Sequence, residues 1–550
     1  MTSDALELSS PEELRDRAAA DERADMPRTR GRLSASLAVI IIALIAIAGT
    51  IEMVLATRWG IGLTTDSIRY IDHARDLLVG RGLRGMTHFP PLYPVMIAAV
   101  AKLGLDAAVA ARWLQVALFP LNIVLIGWMT FRATGRCAAC ACVAALLVAV
   151  APVTVGIHCT ALSEPLFLTL VLVSLACMAA YLQRQRPWLL CVAALTAAMA
   201  VLTRYAGLAL LPVLLVAVTW LNRRVSWRRR LWDVAVLVAL FGVPLGIWLM
   251  RNRLLGSATN RSLAFHPIGA RHIEDALETM TTWLFPRVIP AGLRSLLLGF
   301  LAGAAAVAGA SAAAARQRRR HDDVAPVVAD TGGTLRSILL VFAMSYVALL
   351  VLSVSFVDFY TPLDNRILSP LYAAVLIVGL ESLRRFLASA DVSTLTRRAT
   401  IACLVVLVLL QAARGADLVA VAYRDGIGFA RRTWQQSKML ARVRTFPPGT
   451  VIYSNGADVI EMLTDHRASG LPARYDATTK IANPNYLAER QKIRTDLVAS
   501  RGVLVYFRRI SREHHPTEAE LRQKLHLRLV TENAEGAIYR PAPRDVPLRK

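Results

Sequence analysis

The sequence predicts an α-helical polytopic membrane protein of about 11 spanning helices, followed by a small extracytoplasmic α/β domain. Three observations carry that expectation. Of the 550 residues, 55% are hydrophobic and the mean hydropathy is +0.46, above the roughly 45–50% apolar share of soluble domains. Apolar runs close to the ~20 residues needed to cross a bilayer recur from residue 33 to residue 418. Short Arg clusters separate those runs at alternate boundaries, as the positive-inside rule requires of a chain threaded back and forth.

Taken in order, residues 1–32 form a polar, charged cytoplasmic tail that reads as disordered and ends in RTRGR. The first apolar run, 33–56, exceeds the 7–15 residues of a secretory signal core and is expected to stay attached as a span. Further spans are expected near 110–131, 137–153, 164–182, 188–203, 206–222, 231–250, 292–313, 335–356, 367–387 and 399–418. The run from Leu92 to Leu105 is too short to cross and suits a re-entrant or interfacial helix. Counting it as a span would also turn most Arg clusters outward. The N-terminus is therefore expected inside and the C-terminal region outside.

The net charge of +24 would suggest nucleic acid in a soluble protein. Placed between apolar runs, it instead orients helices and attracts anionic lipid headgroups, so membrane lipids and not nucleic acid are the expected partners. Cys137, Cys140, Cys142, Cys159, Cys177, Cys191 and Cys403 form no disulfide framework. The Cys137-x-x-Cys140 spacing matches a redox or metal pattern, but Cys inside such a helix also behaves as a small buried hydrophobe.

The first outer loop, 57–109, holds the densest chemistry. Thr64-Thr65-Asp66 is a helix start, since a carboxylate in the first turn suits the exposed N–H groups there. Ile68, Ile71, Ala74 and Leu78 mark an apolar stripe, so this helix is expected to lie along the membrane surface. Asp66, Tyr70 and His73 fall on one face. Asp66 is either a helix-start residue alone or a base able to take a proton from a hydroxyl. His88-Phe89-Pro90-Pro91-Leu92-Tyr93-Pro94 ends the loop as a rigid turn.

Three later segments add to it. Ser163-Glu164-Pro165 opens the fourth span; Glu164 is a helix cap, or a second carboxylate that orients an acceptor or helps hold a divalent cation. Thr203-Arg204-Tyr205-Ala206-Gly207 and the stretch from Tyr360 through Arg366 to Pro370 and Tyr372 place arginines on the outer side. Such arginines either snorkel to headgroups or bind phosphate in bidentate fashion. Arg251, Arg253 and Arg261 stand open to both readings.

From about residue 419 the composition becomes that of a soluble domain, 419–550. Strands are expected at Thr450–Asn455, Gly502–Phe507 and within Leu529–Tyr539, with helices at Ala457–Thr464, Arg490–Ser500 and Glu518–Leu525.

Together these motifs resemble the GT-C class of membrane glycosyltransferases. The resemblance is to the glycosyltransferase family 39-like branch, which holds the protein O-mannosyltransferases and the bacterial transferase adding aminoarabinose to lipid A. It rests on Asp66, the His88–Pro94 segment, Ser163-Glu164-Pro165, Thr203-Arg204-Tyr205-Ala206-Gly207, Arg366 with Pro370 and Tyr372, and the Val451–Asn455 strand. It implies a GT-C-like catalytic domain over 33–418 that transfers a sugar from a polyprenyl-phosphate donor to a lipid, glycan or protein acceptor at the outer face. Inversion at the sugar, Asp66 as general base, Glu164 as a further catalytic carboxylate and Arg366 as phosphate clamp follow from it. So do substrate-binding roles for His88, Tyr93, Arg204, Tyr205 and Tyr372, while Tyr70 and His73 are expected to bind substrate from the face they share with Asp66. No cofactor is assigned beyond the open divalent cation. Two departures are visible: His88-Phe89 stands where the aminoarabinose branch has a Lys before the paired prolines, and Glu164 stands where the mannosyltransferases have an acidic pair. Arg- and Ala-rich composition and the resemblance point to a bacterial cytoplasmic membrane. A polyprenyl-lipid flippase or secondary transporter is the competing reading, although repeated halves and mid-membrane polar residues are what such a protein would show.

Overall fold

Residues 34–83, 86, 89–255, 265–299, 303, 331–390, 392–476 and 480–542 are described by the computed structural model. Among the described residues, seven helices are long and apolar enough to cross a membrane: α1 (Ala35–Ala56), α4 (Ala107–Ala133), α7 (Glu164–Arg184), α10 (Trp227–Leu254), α12 (Thr331–Phe356, of which Gly332–Phe356 qualifies), α13 (Asn365–Ala388) and α14 (Thr394–Asp425). An eighth is a bent pair, α5 (Ala138–Val150) and α6 (Pro152–His158), which meet at 55°. Pro152 sits in the first turn of α6, where its missing N–H costs nothing, but it cannot continue the ladder of α5.

The expected count of 11 is not matched one for one. Helix α8 (Pro187–Thr203) has 17 residues, and the run expected at 206–222 breaks into a 3₁₀ turn (Tyr205–Ala209), a short helix α9 (Leu210–Val216) and a π turn (Ala217–Leu221). Pro212 has no N–H to donate back to the Leu208 carbonyl, which sets where the tight turn must change into helix. The run expected at 292–313 and the tail 1–32 lie mostly or wholly outside the described residues.

Two short helices separate α1 from α4. Helix α2 (Thr65–Leu78) buries Ile68, Ile71 and Ala74, the predicted stripe, and Thr64 caps it by accepting from the Ser67 N–H. Helix α3 (Leu92–Ala101) has 10 residues, roughly 15 Å of rise and about half a bilayer core. It stops short of a span, as its length requires.

A backbone seam ties the domain-bearing end of the bundle together. Gly62 N–H donates to the Cys159 carbonyl, Ala161 N–H donates to that of Gly62, and Phe429 N–H donates to that of Leu63, at 2.9, 2.9 and 2.8 Å. Side chains have no room there. A Cβ on Gly62 would lie 2.8 Å from the Cys159 oxygen, and one on Gly428, whose φ is +58°, would lie 2.1 Å from the Leu63 oxygen.

The C-terminal domain is a five-stranded mixed sheet in the order β2-β1-β3-β5-β4. Strand β1 (Ile452–Ser454) runs parallel to both β2 (Ser469–Gly470) and β3 (Val503–Phe507). Strand β5 (Gly536–Pro541) lies antiparallel to β3 and to β4 (Leu527–Asn533). Side chains alternate along β3: Val503, Val505 and Phe507 join one apolar cluster, and Leu504 joins the other. Helix α15 (Ala457–Leu463) packs on α2, which brings the domain over the first long loop.

Candidate active site

Four charged residues meet at the domain-bearing end of the bundle, each at a helix terminus. Asp66 lies in the first turn of α2, Glu164 begins α7, Arg366 is second in α13, and Arg204 caps the C-terminus of α8 in an extended conformation. Asp364 holds the start of α13 by accepting from the N–H groups of Arg366 and Ile367, at 2.9 and 3.2 Å. Three helix N-termini therefore converge, and their unpaired N–H groups and dipoles favour negative charge.

Arg366 spans both carboxylates. Its Nε donates to Glu164 Oε1 at 2.9 Å and its Nη2 donates to Asp66 Oδ2 at 3.0 Å. Arg204 Nη1 lies 2.9 Å from the same Glu164 oxygen and donates to Ser163 Oγ at 3.0 Å. The Glu164 side chain is 2% exposed, whereas those of Asp66 and Arg366 keep 32% and 31% of their surface open. The buried carboxylate thus positions two guanidiniums, and the open carboxylate and guanidinium face solvent together.

Ser163 sits in the middle of this group. Its Oγ accepts from Arg204, donates to Glu164 Oε2 at 3.4 Å and lies 3.3 Å from the Tyr70 hydroxyl. Burial pushes the Tyr70 phenol up to about 12, against the pull of the Arg204 charge, so the hydroxyl stays protonated and serves as a donor. Tyr93 and Phe89 pack edge-on to the Tyr70 ring at centroid distances of 5.1 and 5.3 Å. Gln115 Nε2 donates to the Tyr93 hydroxyl at 2.8 Å and to the Leu162 carbonyl at 2.6 Å.

Of the sequence-predicted site residues, Asp66, Glu164, Arg204, Arg366, Tyr70 and Tyr93 are brought together. The others are not. Among the described residues no contact joins His73 to the cluster; it is half-buried one turn beyond Tyr70, and burial lowers its pKa. The Tyr205 hydroxyl accepts from Trp248 Nε1 at 3.2 Å. Tyr372 is buried in the bundle core, edge-on to Trp283 at 5.3 Å. His88 and Arg261 lie outside the described residues.

Glu164 departs from its reading as an acceptor-orienting or cation-holding carboxylate. Its contacts are to arginines, because a carboxylate taken out of water needs counter-charge at hydrogen-bond distance. Asp66 also faces Arg366, so the two carboxylates do not offer a donor set suited to a divalent cation. Among the described residues no group of three or more His, Cys, Asp or Glu is arranged to hold a metal ion.

Sequence reasoning missed three supporting residues, Ser163 as the central hydroxyl, Gln115 and Arg512, and left Arg251 open between headgroup and phosphate. Arg251 donates to the carbonyls of Leu83 and, at 3.2 Å, Met86, and lies 4.7 Å over Trp248, which pins the end of the first long loop. Arg512, from the C-terminal domain, donates to Thr65 Oγ1 at 3.4 Å and to Asp458 at 3.3 Å. Lys480 of the same domain lies 4.5 Å over Phe359, in the loop that leads to Arg366. The domain therefore touches the segments that carry both exposed charges. Only the buried polar character of Gln115 in an apolar run was a visible signal.

Comparison with known proteins agrees with this architecture. Residues 88–248 match the family model of the dolichyl-phosphate-mannose-protein mannosyltransferases. No curated protein sequence matches the chain. Among solved structures, ArnT from Cupriavidus metallidurans in the apo state is similar at 14% identity and a TM-score of 0.57, covering 93% of this chain and 100% of that one. ArnT from the same organism bound to undecaprenyl phosphate is similar at 13% identity and a TM-score of 0.54, covering 91% and 99%. The chain has the GT-C fold of polytopic membrane glycosyltransferases.

Proposed function

We propose that this protein is an inverting membrane glycosyltransferase that moves a sugar from a polyprenyl-phosphate carrier to an acceptor hydroxyl at the outer face of a bacterial cytoplasmic membrane. One observation carries the proposal: an open carboxylate and an open guanidinium, Asp66 and Arg366, stand 3.0 Å apart where three helix N-termini converge. The GT-C fold and the undecaprenyl phosphate bound to ArnT support the choice of donor.

Transfer needs a proton acceptor, a place for the departing phosphate, and alignment of both with the sugar. Asp66 accepts the proton of the acceptor hydroxyl, and the oxygen attacks the anomeric carbon as its bond to the carrier phosphate breaks. The electron pair leaves with the phosphate. Arg366, with Arg204 behind it, stabilises that developing charge, and the helix N-termini add to the same field. The carrier phosphate is a stable anion, so no general acid is required. In the resting site Arg366 occupies Asp66; a donor phosphate that draws the guanidinium away would leave the carboxylate available as a base.

The test is sugar transfer or hydrolysis from a labelled panel of polyprenyl-phosphate sugars, with full-length protein in lipid. Turnover by the wild type and none by Asp66→Asn, at equal carrier binding, is the expected result. Carrier binding without turnover in both proteins would overturn the proposal in favour of a lipid transporter.

A further inference from the structure

At the opposite end of the bundle a groove of about 280 Å³ opens between α4, α7, α8 and α12. It is lined by α7 from Val173 to Arg184, and its end at Arg184 lies twenty residues along that helix from Glu164, roughly 30 Å from the charged cluster. Its walls are apolar, with Leu125 and Trp128 on one side, Cys177 and Ala180 on another, and Leu335 closing it. Arg132, Gln183 and Arg184 stand at its mouth. Trp128, which lines the groove, is 45% exposed.

Among the described residues, no carboxylate pairs with Arg132 or Arg184 at this mouth. Arg132 donates to Gln183 Oε1 at 3.1 Å, a neutral partner, and Arg224 donates to the Gln183 carbonyl at 3.4 Å. Arg136 lies four residues after Arg132, in the turn that follows α4. The two carboxylates described at this end are already matched: Asp233 by Arg229 at 2.9 Å and by the Tyr181 hydroxyl, Glu381 by Arg385 and by Arg336 at 3.7 Å. A group of guanidiniums beside an apolar groove among membrane-spanning helices is complementary to an amphiphile with an anionic head and a hydrocarbon tail.

We infer that this groove is a binding site for one anionic diacyl phospholipid of the leaflet facing away from the C-terminal domain. One acyl chain lies along Trp128 and Ala180, and its phosphate is held by Arg132 and Arg184. Arg132 and Arg184 are therefore more than generic headgroup anchors, because their position is set by a groove that a chain can enter. The proposal stands apart from the catalytic reading, since none of these residues belongs to the charged cluster.

The test is native mass spectrometry of full-length protein, delipidated in neutral detergent and titrated with phosphatidylglycerol or phosphatidylcholine. A juxtamembrane arginine is worth roughly fivefold in affinity for an anionic lipid, so two give about 30-fold. One tightly held phosphatidylglycerol is expected, with that preference lost in the surface double variant Arg132→Gln/Arg184→Gln. Filling the groove with Ala180→Phe should remove the same adduct while the variant keeps its thermal midpoint. Occupancy of the groove by phosphatidylglycerol should also slow alkylation of Cys177, followed at the peptide level. Equal binding of the two lipids, adducts unchanged by the double variant, or preference for undecaprenyl phosphate over phosphatidylglycerol would each overturn the proposal.

Discussion

Replacing Glu164 with Gln tests how the charged cluster is held. The cluster contains two carboxylates and two guanidiniums and is neutral; the substitution leaves it at +1 with the shape of the side chain preserved. Oε1 of Glu164 serves Arg204 and Arg366 at once, each at 2.9 Å, and the side chains of the three are 2%, 18% and 31% exposed. Removing one partner of a buried pair costs about 3–5 kcal/mol. The Gln carbonyl still accepts a hydrogen bond and the open part of Arg366 rehydrates, so about 2–4 kcal/mol is expected here. Turnover should fall more steeply than stability alone accounts for, because a clamp displaced by about 1 Å loses on the order of 100-fold. The assay is a double-mutant cycle with Arg204→Gln, read by thermal midpoint and by sugar transfer in lipid. The double variant restores neutrality, so its midpoint should lie above the sum of the single losses by at least about 1 kcal/mol. An unchanged midpoint in Glu164→Gln, or strictly additive losses with turnover retained, would refute the role assigned to Glu164.

Other predictions follow from contacts around the cluster. Arg512→Ala removes hydrogen bonds of 3.3 and 3.4 Å from a partly exposed side chain, and should slow transfer about fivefold, with Lys restoring part of it, and leave the thermal midpoint nearly unchanged. Gly428→Ala forces a Cβ against the Leu63 carbonyl in a left-handed conformation; strain of about 1–2 kcal/mol before the clash is counted should open the 426–431 linker to limited proteolysis. Gln115→Leu leaves the buried Tyr93 hydroxyl and Leu162 carbonyl without their donor, which should lower stability by about 1–3 kcal/mol in a thermal scan. His73→Ala, whose side chain no contact joins to the cluster among the described residues, should leave turnover within about twofold of wild type, a change of no more than ~0.5 kcal/mol.

Ten of the expected apolar runs coincide with described helices or broken helices, because bilayer thickness imposes a length that hydropathy reports directly. The four charged residues were legible for a related reason. Asp66, Glu164, Arg204 and Arg366 sit at the ends of apolar runs, where a charge is costly and therefore conspicuous. Ser163 was not legible as the central hydroxyl, since a serine before Glu-Pro reads equally as a cap, yet its side chain caps nothing in α7. Tyr372 was misleading in the other direction. Its motif spacing from Arg366 is real, but six residues along a helix turn it toward Trp283 in the core. The α5–α6 bend and the broken run after Arg204 depend on where single prolines fall against neighbouring helices, which hydropathy averages away. Arg512 could not be found at all without the fold, because 447 residues separate it from Thr65.

The wide sequence spacing of the cluster also fixes the order in which it can be built during synthesis. Arg366 follows Glu164 by 202 residues and Asp66 by 300. At about 5–20 residues per second, roughly 10–40 s separate the emergence of Glu164 from that of Arg366. Through that interval Glu164 has Arg204 alone as counter-charge, and the seam at Gly62 still lacks its third strand of backbone from Phe429. A ribosome-bound chain thus carries a half-neutralised acidic pair at the membrane edge until its last spanning helices arrive. Nascent chains stalled before residue 366 should be the ones that membrane quality control recognises, and release beyond residue 429 the step that removes the signal.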